Sequence, residues 1–592
     1  MTAFNAPHID WAALSPIIVV LGAGVLGVLL EAFVAERRRR TVQVVLSLAA
    51  TAGAGVAVGL LWGRVQDEGA ILVVGDSFDL TPFGLAIQGI VALLAFLAIA
   101  VMADRTGGQD AFAPTAAAVP GSRYEEQARR AGFQQTEVFP LVLFSTGGML
   151  LFSATDDLVI LFIALEVLSL PLYVLCATAR RRRLLSQEAA LKYFLLGAFA
   201  SALTIFGVAL LYGFAGSVHL PAIADALAGR SDSPLQGVHA LAITGIVLVT
   251  AGLLFKVGAV PFHAWTPDVY TGAPTPVTGF MAACTKAAAV GALVRVLFYL
   301  GEGFDAGTRR EVQVLLWTVA ILTMAIGTIV GAVQTDIKRL LAYSSIAHAG
   351  FILVAVVAFS EQASSAIVFY LLAYGLATVG AFAAVTLVRE RLGSVAGTGV
   401  AADGGGSGDG SGDGSGDGDA PVILGEATHV AQWAGIGRKA PWLTAAFALF
   451  MLSMAGIPLT AGFIAKFGAF SAAVDVGAWP LALIGVIASA ISVFFYVRII
   501  VLMVLTPAPD AAVTARAAGD AGDAGGASGA GGAGTGATAT AVRPVTRAVV
   551  TVMTGWGPAA VVVALCAIGI VVLGVAPQWV LDLAAQAAKF VP

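Results

Sequence analysis

Charge is scarce in this chain. Only 11% of its 592 residues are Asp, Glu, Lys or Arg, while 58% are hydrophobic and the mean hydropathy is +0.91. Soluble domains carry about 25% charged residues, so a water-soluble globular fold is excluded. Cysteine is nearly absent as well. Cys176, Cys284 and Cys566 stand singly in apolar runs with no CxxC pair, which leaves no basis for an iron–sulfur cluster or zinc site within the chain. They read as buried, inert thiols. No Walker A sequence occurs, so nothing supports ATP-driven transport by this chain. The net charge of −4 is spread over loops and offers nucleic acid no basic face. The start lacks the basic region of a signal peptide, and its first apolar run, between Asp10 and "ERRRR", is expected to persist as a helix.

What the chain has in abundance is apolar runs of about twenty residues, each able as a helix to cross a hydrocarbon core of roughly 30 Å. They lie near 15–34, 42–62, 82–103, 138–154, 157–179, 188–214, 239–270, 274–300, 311–333, 339–359, 362–388, 443–474, 479–505 and 549–576. The expected fold is therefore an all-α polytopic membrane protein of about fourteen transmembrane helices. The distribution of basic loops tests that count. With the "RRRR" at 37–40 placed in the cytoplasm, the clusters at 180–183, 338–339 and 438–439, and Arg105, Arg123, Arg129, Arg130, Arg389, Arg391, Arg543 and Arg547, fall on the same side. The opposite loops hold only Arg64, Arg230, Arg309, Arg310 and Lys589, and both termini are then expected outside.

The expected organisation is a three-helix segment (1–137), a first five-helix unit (138–300), a second (311–505), a linker (506–548) and a last helix with its tail (549–592). The stretches 397–420 and 518–539 are rich in Gly, Ala, Ser and Asp without an apolar face, and read as disordered cytoplasmic linkers. Gly22, Gly24 and Gly27 spell GxGxxG, but inside an apolar run they read as helix-packing residues rather than a dinucleotide loop. Arg295 and Glu31 lie close enough to helix ends to snorkel. Asp336, Lys338 and Arg339 read as surface anchors of a helix. Glu188 and Lys192, four apart, fit a local ion pair as well as a functional role.

Four ionisable residues lie deeper: Glu166, Lys256, Lys286 and Lys466, each on a different span. An ionised group at bilayer depth costs at least about 2.5–3.5 kcal/mol, so such groups face a bundle interior or a wet path. The spans carrying Lys256 and Lys466 are the two that are too long, and each contains a break, at Pro261 and at Pro458 in "AGIPLTAG". They are spans seven and twelve, five apart. A five-helix unit crosses an odd number of times, so spans four to eight and nine to thirteen are expected to form an inverted repeat with discontinuous helices seven and twelve. Burial lowers the proton affinity of a lysine toward neutrality and a nearby carboxylate restores it, which suits proton transfer. His263 and His348 fit equally as relays between lysines or as packed, hydrogen-bonded residues.

The stretches "LLFKVGAVPFHAWTPDVYTGAPTPVTGFMAACTKAAAVGALVRV", "QTDIKRLLAYSSIAHAGF" and "AGIPLTAGFIAKF" resemble the antiporter-like membrane subunits of respiratory complex I, and within them the subunit N branch. The resemblance covers roughly residues 10–580 without the two linkers. It implies a Glu166–Lys256 pair between helices five and seven, a central Lys286 on helix eight, Lys466 on helix twelve and a functional Lys192 on helix six. It implies no cofactor in this chain, with NAD, FMN, iron–sulfur clusters and quinone held elsewhere in the complex. The implied partners are the antiporter-like subunits M and L, the small subunits K, J and A, the quinone-binding module indirectly, and membrane lipid, in a bacterial plasma membrane. The 397–420 insertion departs from the family pattern. The charged residues alone also fit a subunit of a multisubunit sodium/proton antiporter.

Overall fold

The computed structural model describes residues 9–588 except 75–76, 107–110, 114–123, 125–126, 129–133, 181, 232–234, 236, 394–422, 508–546 and 554. Both expected linkers, 397–420 and 518–539, lie outside the described residues, as do Arg123, Arg129, Arg130, Arg543 and Lys589.

Among the described residues twelve helices are long and apolar enough to cross a membrane, and the shorter apolar helices Val138–Phe152 and Pro441–Ala455 bring the crossings to fourteen. They are α1 (Ser15–Phe33), α2 (Glu36–Glu68), α3 (Pro82–Met102), α4 (Val138–Phe152), α5 (Leu158–Cys176), α6 (Arg183–Ala215), α7a and α7b (His239–Val257, Trp265–Gly272), α8 (Thr275–Gly301), α9 (Ala306–Ala332), α10 (Ile337–Val356), α11 (Glu361–Leu387), α12a and α12b (Pro441–Ala455, Ala461–Asp475), α13 (Trp479–Leu505) and α14 (Pro558–Val575). α2 and α6, at 33 residues, are about 50 Å long and so extend beyond the hydrocarbon core. α8, α10 and α11 are the helices enclosed by the others, and the charged positions lie on and around them. Among the described residues two small sheets decorate the ends of the bundle. One is a hairpin of β1 (Ile71–Val73) and β2 (Phe78–Leu80); the other places β3 (Val388–Gly393) between β4 (Ile423–Glu426) and β5 (Arg547–Val552).

The two five-helix units repeat one another in detail. Asp157 caps α5 by accepting from the amides of Val159 and Ile160, and Asp336 caps α10 by accepting from those of Lys338 and Arg339. Nine residues before each aspartate, a glycine lets paired helices touch backbone to backbone. A Cβ on Gly148 would lie 2.5 Å from the Leu168 nitrogen, and one on Gly327 would lie 2.5 Å from the Ala347 nitrogen. Leu168 and Ala347 are each eleven residues after their aspartate. The caps are tied alike as well. Asp157 bridges to His219 after α6, and Asp336 to His429 after α11, with the amides of Leu220 and Val430 donating to the carbonyls of Asp156 (2.8 Å) and Thr335 (2.7 Å).

Both discontinuous helices break at a glycine. α7a ends at Gly258 (φ 80°) and α12a at Gly456 (φ 83°), conformations open to a residue without Cβ, and each glycine amide donates back to the two preceding turn carbonyls. The expected cause was proline. Pro261 and Pro458 instead follow, inside the connecting turns, and prevent the helix from resuming at once.

Three further expectations change. Arg295 does not snorkel; its side chain is 0% exposed and ion-paired to Asp79 at 3.1 Å. Lys338 is no surface anchor, being buried with its ammonium donating to the Ala273 carbonyl at 2.6 Å. Of the GxGxxG glycines, Gly24 and Gly27 meet Phe144, Gln43 and Pro140, as packing requires, but Gly22 meets nothing within 4 Å. Glu31 is partly buried, accepting from Gln43 and Thr136 with Arg39 nearby.

Candidate functional site

Lys256, Lys286 and Lys466 are all buried, at 3–5% exposure, and each has a different means of solvating its ammonium. Lys256, in the last turn of α7a, lies among aromatic rings: Tyr193 (5.1 Å), Tyr173 (5.4 Å) and Phe255 (5.6 Å). The Tyr173 hydroxyl is its hydrogen-bond partner, at a long 3.5 Å. Tyr173 fits there because Gly197 on α6 has no Cβ, which would come within 2.1 Å of that hydroxyl. Glu166, two turns before Tyr173 on α5, is half-buried and accepts from the Ser201 hydroxyl. Glu166 and Lys256 thus flank one α5–α6 surface, with no ion pair between them within 4 Å.

Lys286 begins the regular part of α8, directly after a π-helical turn, Met281–Thr285. Such a turn widens the helix and frees carbonyls, and is frequent at functional positions. The ammonium donates to the Ser345 carbonyl on α10 and lies 5.5 Å from the Tyr374 ring on α11. Tyr374 also stacks obliquely on His348, ring centres 4.9 Å apart. His348 is held at both ring nitrogens, Nδ1 to Tyr370 at 2.8 Å and Nε2 to Tyr496 at 3.3 Å. Phe351 lies beside both His348 (5.7 Å) and the Lys466 ammonium (4.6 Å). The row Lys286, Tyr374, His348, Phe351, Lys466 is therefore continuous side chain to side chain.

Lys466 explains the second break. Its ammonium donates to the carbonyl of Ala455, the last residue of α12a, at 3.0 Å and to Ser489 at 2.8 Å, so a cation sits on the negative end of a half-helix. In α7 the corresponding need is met differently, the Trp265 indole donating to the Phe255 carbonyl at 2.9 Å. The breaks match but their lysines do not: Lys256 precedes its glycine and Lys466 follows.

Lys192 lies apart from this row, toward the end of α6 that carries the basic loop. It pairs with Glu188 at 2.6 Å and with Asp268 of α7b at 2.7 Å, and Asp268 also holds Arg339 of α10 at 3.1 Å. One carboxylate thereby links both five-helix units. The sequence signal for Asp268 is slight, an acid in the first turn of the helix that follows the break in "WTPDVY". His263, in the turn after Gly258, joins none of these groups; its Nδ1 has no partner among the described residues. The three cysteines are buried and unpaired.

The family described as NADH:quinone oxidoreductase/Mrp antiporter, TM matches residues 155–492, which contain Glu166, Lys192, Lys256, Lys286, His348 and Lys466. The chain is 53% identical to the NADH-quinone oxidoreductase subunit N of Beutenbergia cavernae, over 99% of both chains, and 46% identical to that of Rhodococcus opacus, over 99% of this chain and 97% of the other. It belongs to the subunit N family of NADH-quinone oxidoreductases. Among solved structures, a chain of respiratory complex I from Thermus thermophilus matches with a TM-score of 0.66 and 27% identity, covering 96% of this chain and 99% of that one. A chain of the Mrp complex from Dietzia sp. DQ12-45-1b matches at a TM-score of 0.71 over 98% and 96%, but at 21% identity, which speaks for the fold alone. As a subunit N family member the chain is a multi-pass membrane protein, and among its described residues no group of three or more His, Cys, Asp or Glu is placed to hold a metal.

Proposed function

We propose that this chain is a proton-translocating membrane subunit of a type I NADH-quinone oxidoreductase, and that Glu166, Lys256, Lys286, His348 and Lys466 carry the protons. The carrying observation is three buried lysines on α7a, α8 and α12b, of which Lys286 and Lys466 are linked through Tyr374, His348 and Phe351 across the junction of the two units. Bare ammonium groups at this depth are costly, and each is left with neutral dipoles or rings rather than a fixed counter-ion, so its charge is free to change. Lys192, with Asp268, is the cytoplasmic intake, and Glu166 biases Lys256 by approach or withdrawal rather than by a permanent bond. His263, outside the row, serves at most as a side station in the α7 turn.

The driving reaction belongs to neighbouring subunits, which hold NAD, FMN, iron–sulfur clusters and quinone; this chain supplies proton groups alone. Its partners are the antiporter-like subunits M and L and the small subunits K, J and A, in a bacterial plasma membrane with both termini outside. Within the chain, the three-helix segment 1–137 and the last helix flank the two working units, 138–300 and 311–505. Each proton moved outward works against about 2.3 kcal/mol per 100 mV.

The test is NADH-driven acidification of sealed inverted membrane vesicles. Lys256→Ala and Lys286→Ala are expected to remove most of the pumping per NADH oxidised with the complex still assembled; unchanged pumping in both would refute the reading. The fold likeness to the Mrp chain keeps one second reading, a sodium/proton antiporter subunit. It predicts purification without flavin and iron–sulfur subunits.

A further inference from the structure

The α4–α5 turn contains an acid that the turn itself does not need. Asp157 caps α5, while its neighbour Asp156 has only its backbone in use, the carbonyl accepting from Leu220. In the second unit the residue at that place is Thr335, which makes the same backbone bond to Val430. The geometry is therefore built without a carboxylate, yet Asp156 is 3% exposed. Burial without a fixed partner is expensive for an acid, and this one is retained in a cluster of further titratable groups.

Arg295 of α8 donates to the Asp79 carbonyl at 2.9 Å and pairs with Asp79 Oδ2 at 3.1 Å, and the Tyr299 hydroxyl donates to the same oxygen. Thr81 is a weaker partner of Arg295 at 3.4 Å. Asp156 Oδ1 and Asp79 Oδ1 have no hydrogen-bond partner among the described residues. Thr155 bridges to Phe78 and the Asp79 amide donates to the Ala154 carbonyl at 3.2 Å, so the Asp79 and Asp156 carboxylates lie near one fully buried guanidinium that Asp79 alone grips within 4 Å. With both ionised the cluster carries one uncompensated negative charge, and one added proton neutralises it. His219, one-third exposed and 4.0 Å from Asp157, stands at the rim toward solvent. Burial holds the Asp156 carboxyl up at about 6, against the pull of Arg295 and His219 and with the push of Asp79.

The cluster is also placed along the established row. Arg295 is nine residues beyond Lys286 on α8, a rise of about 13 Å. On α3, Gly84 leaves room for Arg295, whose Nη1 would lie 3.3 Å from a Cβ there. One turn deeper, buried Gln88 presents an Oε1 without a partner among the described residues. The Lys192–Asp268 cluster lies at the opposite end of the bundle.

We propose that Asp156, set against Asp79 and Arg295, is the proton-release station of this subunit, discharging past His219 on the side opposite Lys192. This rests on the proton-translocation reading above. Loading forms an O–H bond on an Asp156 oxygen with a proton delivered from the membrane interior; release breaks it and hands the proton to His219 or water, and no electron moves.

The experiment uses the whole complex in inverted vesicles, with the lumen pre-equilibrated at several pH values on either side of neutrality. Pumping by the native complex is expected to slow as lumen pH falls through about 6, because the station stays loaded. Asp156→Asn, and Asp156→Thr as the fold-preserving variant that the second unit already contains, are expected to pump about twofold or more slowly per NADH. Both should lose that inflection while complex abundance is unchanged. Native rate and native pH profile in either assembled variant overturn the station. Lys256→Ala in the same vesicles separates the two levels: lost pumping there with a native Asp156→Asn profile removes only the station, and native pumping in both removes the function reading as well.

Discussion

A single methyl group is enough to test how Lys256 is held. Gly197→Ala places a Cβ within 2.1 Å of the present Tyr173 hydroxyl, so Tyr173 must move and Lys256 loses its one hydrogen-bond partner. Pumping is expected to fall with the complex still assembled, and Tyr173→Phe, which deletes the same hydroxyl without crowding the helices, should lower it likewise in the vesicle assay. Asp156 offers a pH test of stability. Its folded proton affinity is raised, so between about pH 4 and 6 the native state binds more protons than the unfolded one, and stability falls as pH rises through that window. The loss is of order 3 kcal/mol by pH 7. Thermal unfolding of the purified complex should show a higher midpoint for Asp156→Asn at pH 7 and little difference near pH 4. These positions differ in how legible they were in the sequence. A lysine in an apolar run announces itself, and Lys256, Lys286 and Lys466 were found that way. Asp156 sits in the short α4–α5 turn and Asp79 in the three-residue strand β2, and only their burial marks them.

Among the elements, the discontinuous helices are the case where the sequence pointed to the right place for a partly wrong reason. Excess length and a proline located both breaks, but the chain turns at Gly258 and Gly456, since only a positive φ can end the helix and redirect it there. Gly456→Ala combines that strain with a Cβ 2.9 Å from the Lys466 side chain. It is expected to cost roughly 1–2 kcal/mol and to shift Lys466 off the Ala455 carbonyl, read as reduced thermal stability together with reduced pumping. The inverted repeat had a sharper sequence signature than overall identity reveals: glycine, then aspartate nine residues on, then the contact residue eleven later, in both units. Three spaced positions vanish in a residue-by-residue comparison, and only the close helix approach explains why they recur. The same register sets Glu166 and Ser345 at equivalent places, nine after their aspartates, so the second unit offers a serine carbonyl to Lys286 where the first offers a carboxylate.

For the molecule as a whole, the two charged layers differ in what they do for folding. The Lys192–Asp268–Arg339 group is about one-third exposed, and ion pairs of that kind contribute roughly 0–1 kcal/mol. Asp268→Asn is therefore expected to leave complex abundance and melting unchanged while slowing pumping; a large loss of abundance would instead assign it a structural role. Arg295, enclosed on all sides, behaves oppositely: Arg295→Met strands Asp79 and is expected to cost about 3–5 kcal/mol, seen as poor assembly on native gels. Composition, spans and basic loops had indicated the crossing count. They could not show that α8, α10 and α11 are the enclosed helices, because apolar residues face lipid and protein alike in a membrane.

The β3–β4 pair has a practical side. Arg391 of β3 and Ile423 of β4 are register partners, so the two ends of the intervening segment are already side by side. Doubling the length of a loop closed in this way costs only about 0.6 kcal/mol. The hairpin is accordingly a socket on the face that bears the basic loops: a fluorescent protein or affinity handle spliced between Gly393 and Ile423 should leave the bundle unstrained and report the whereabouts and number of assembled complexes in living cells.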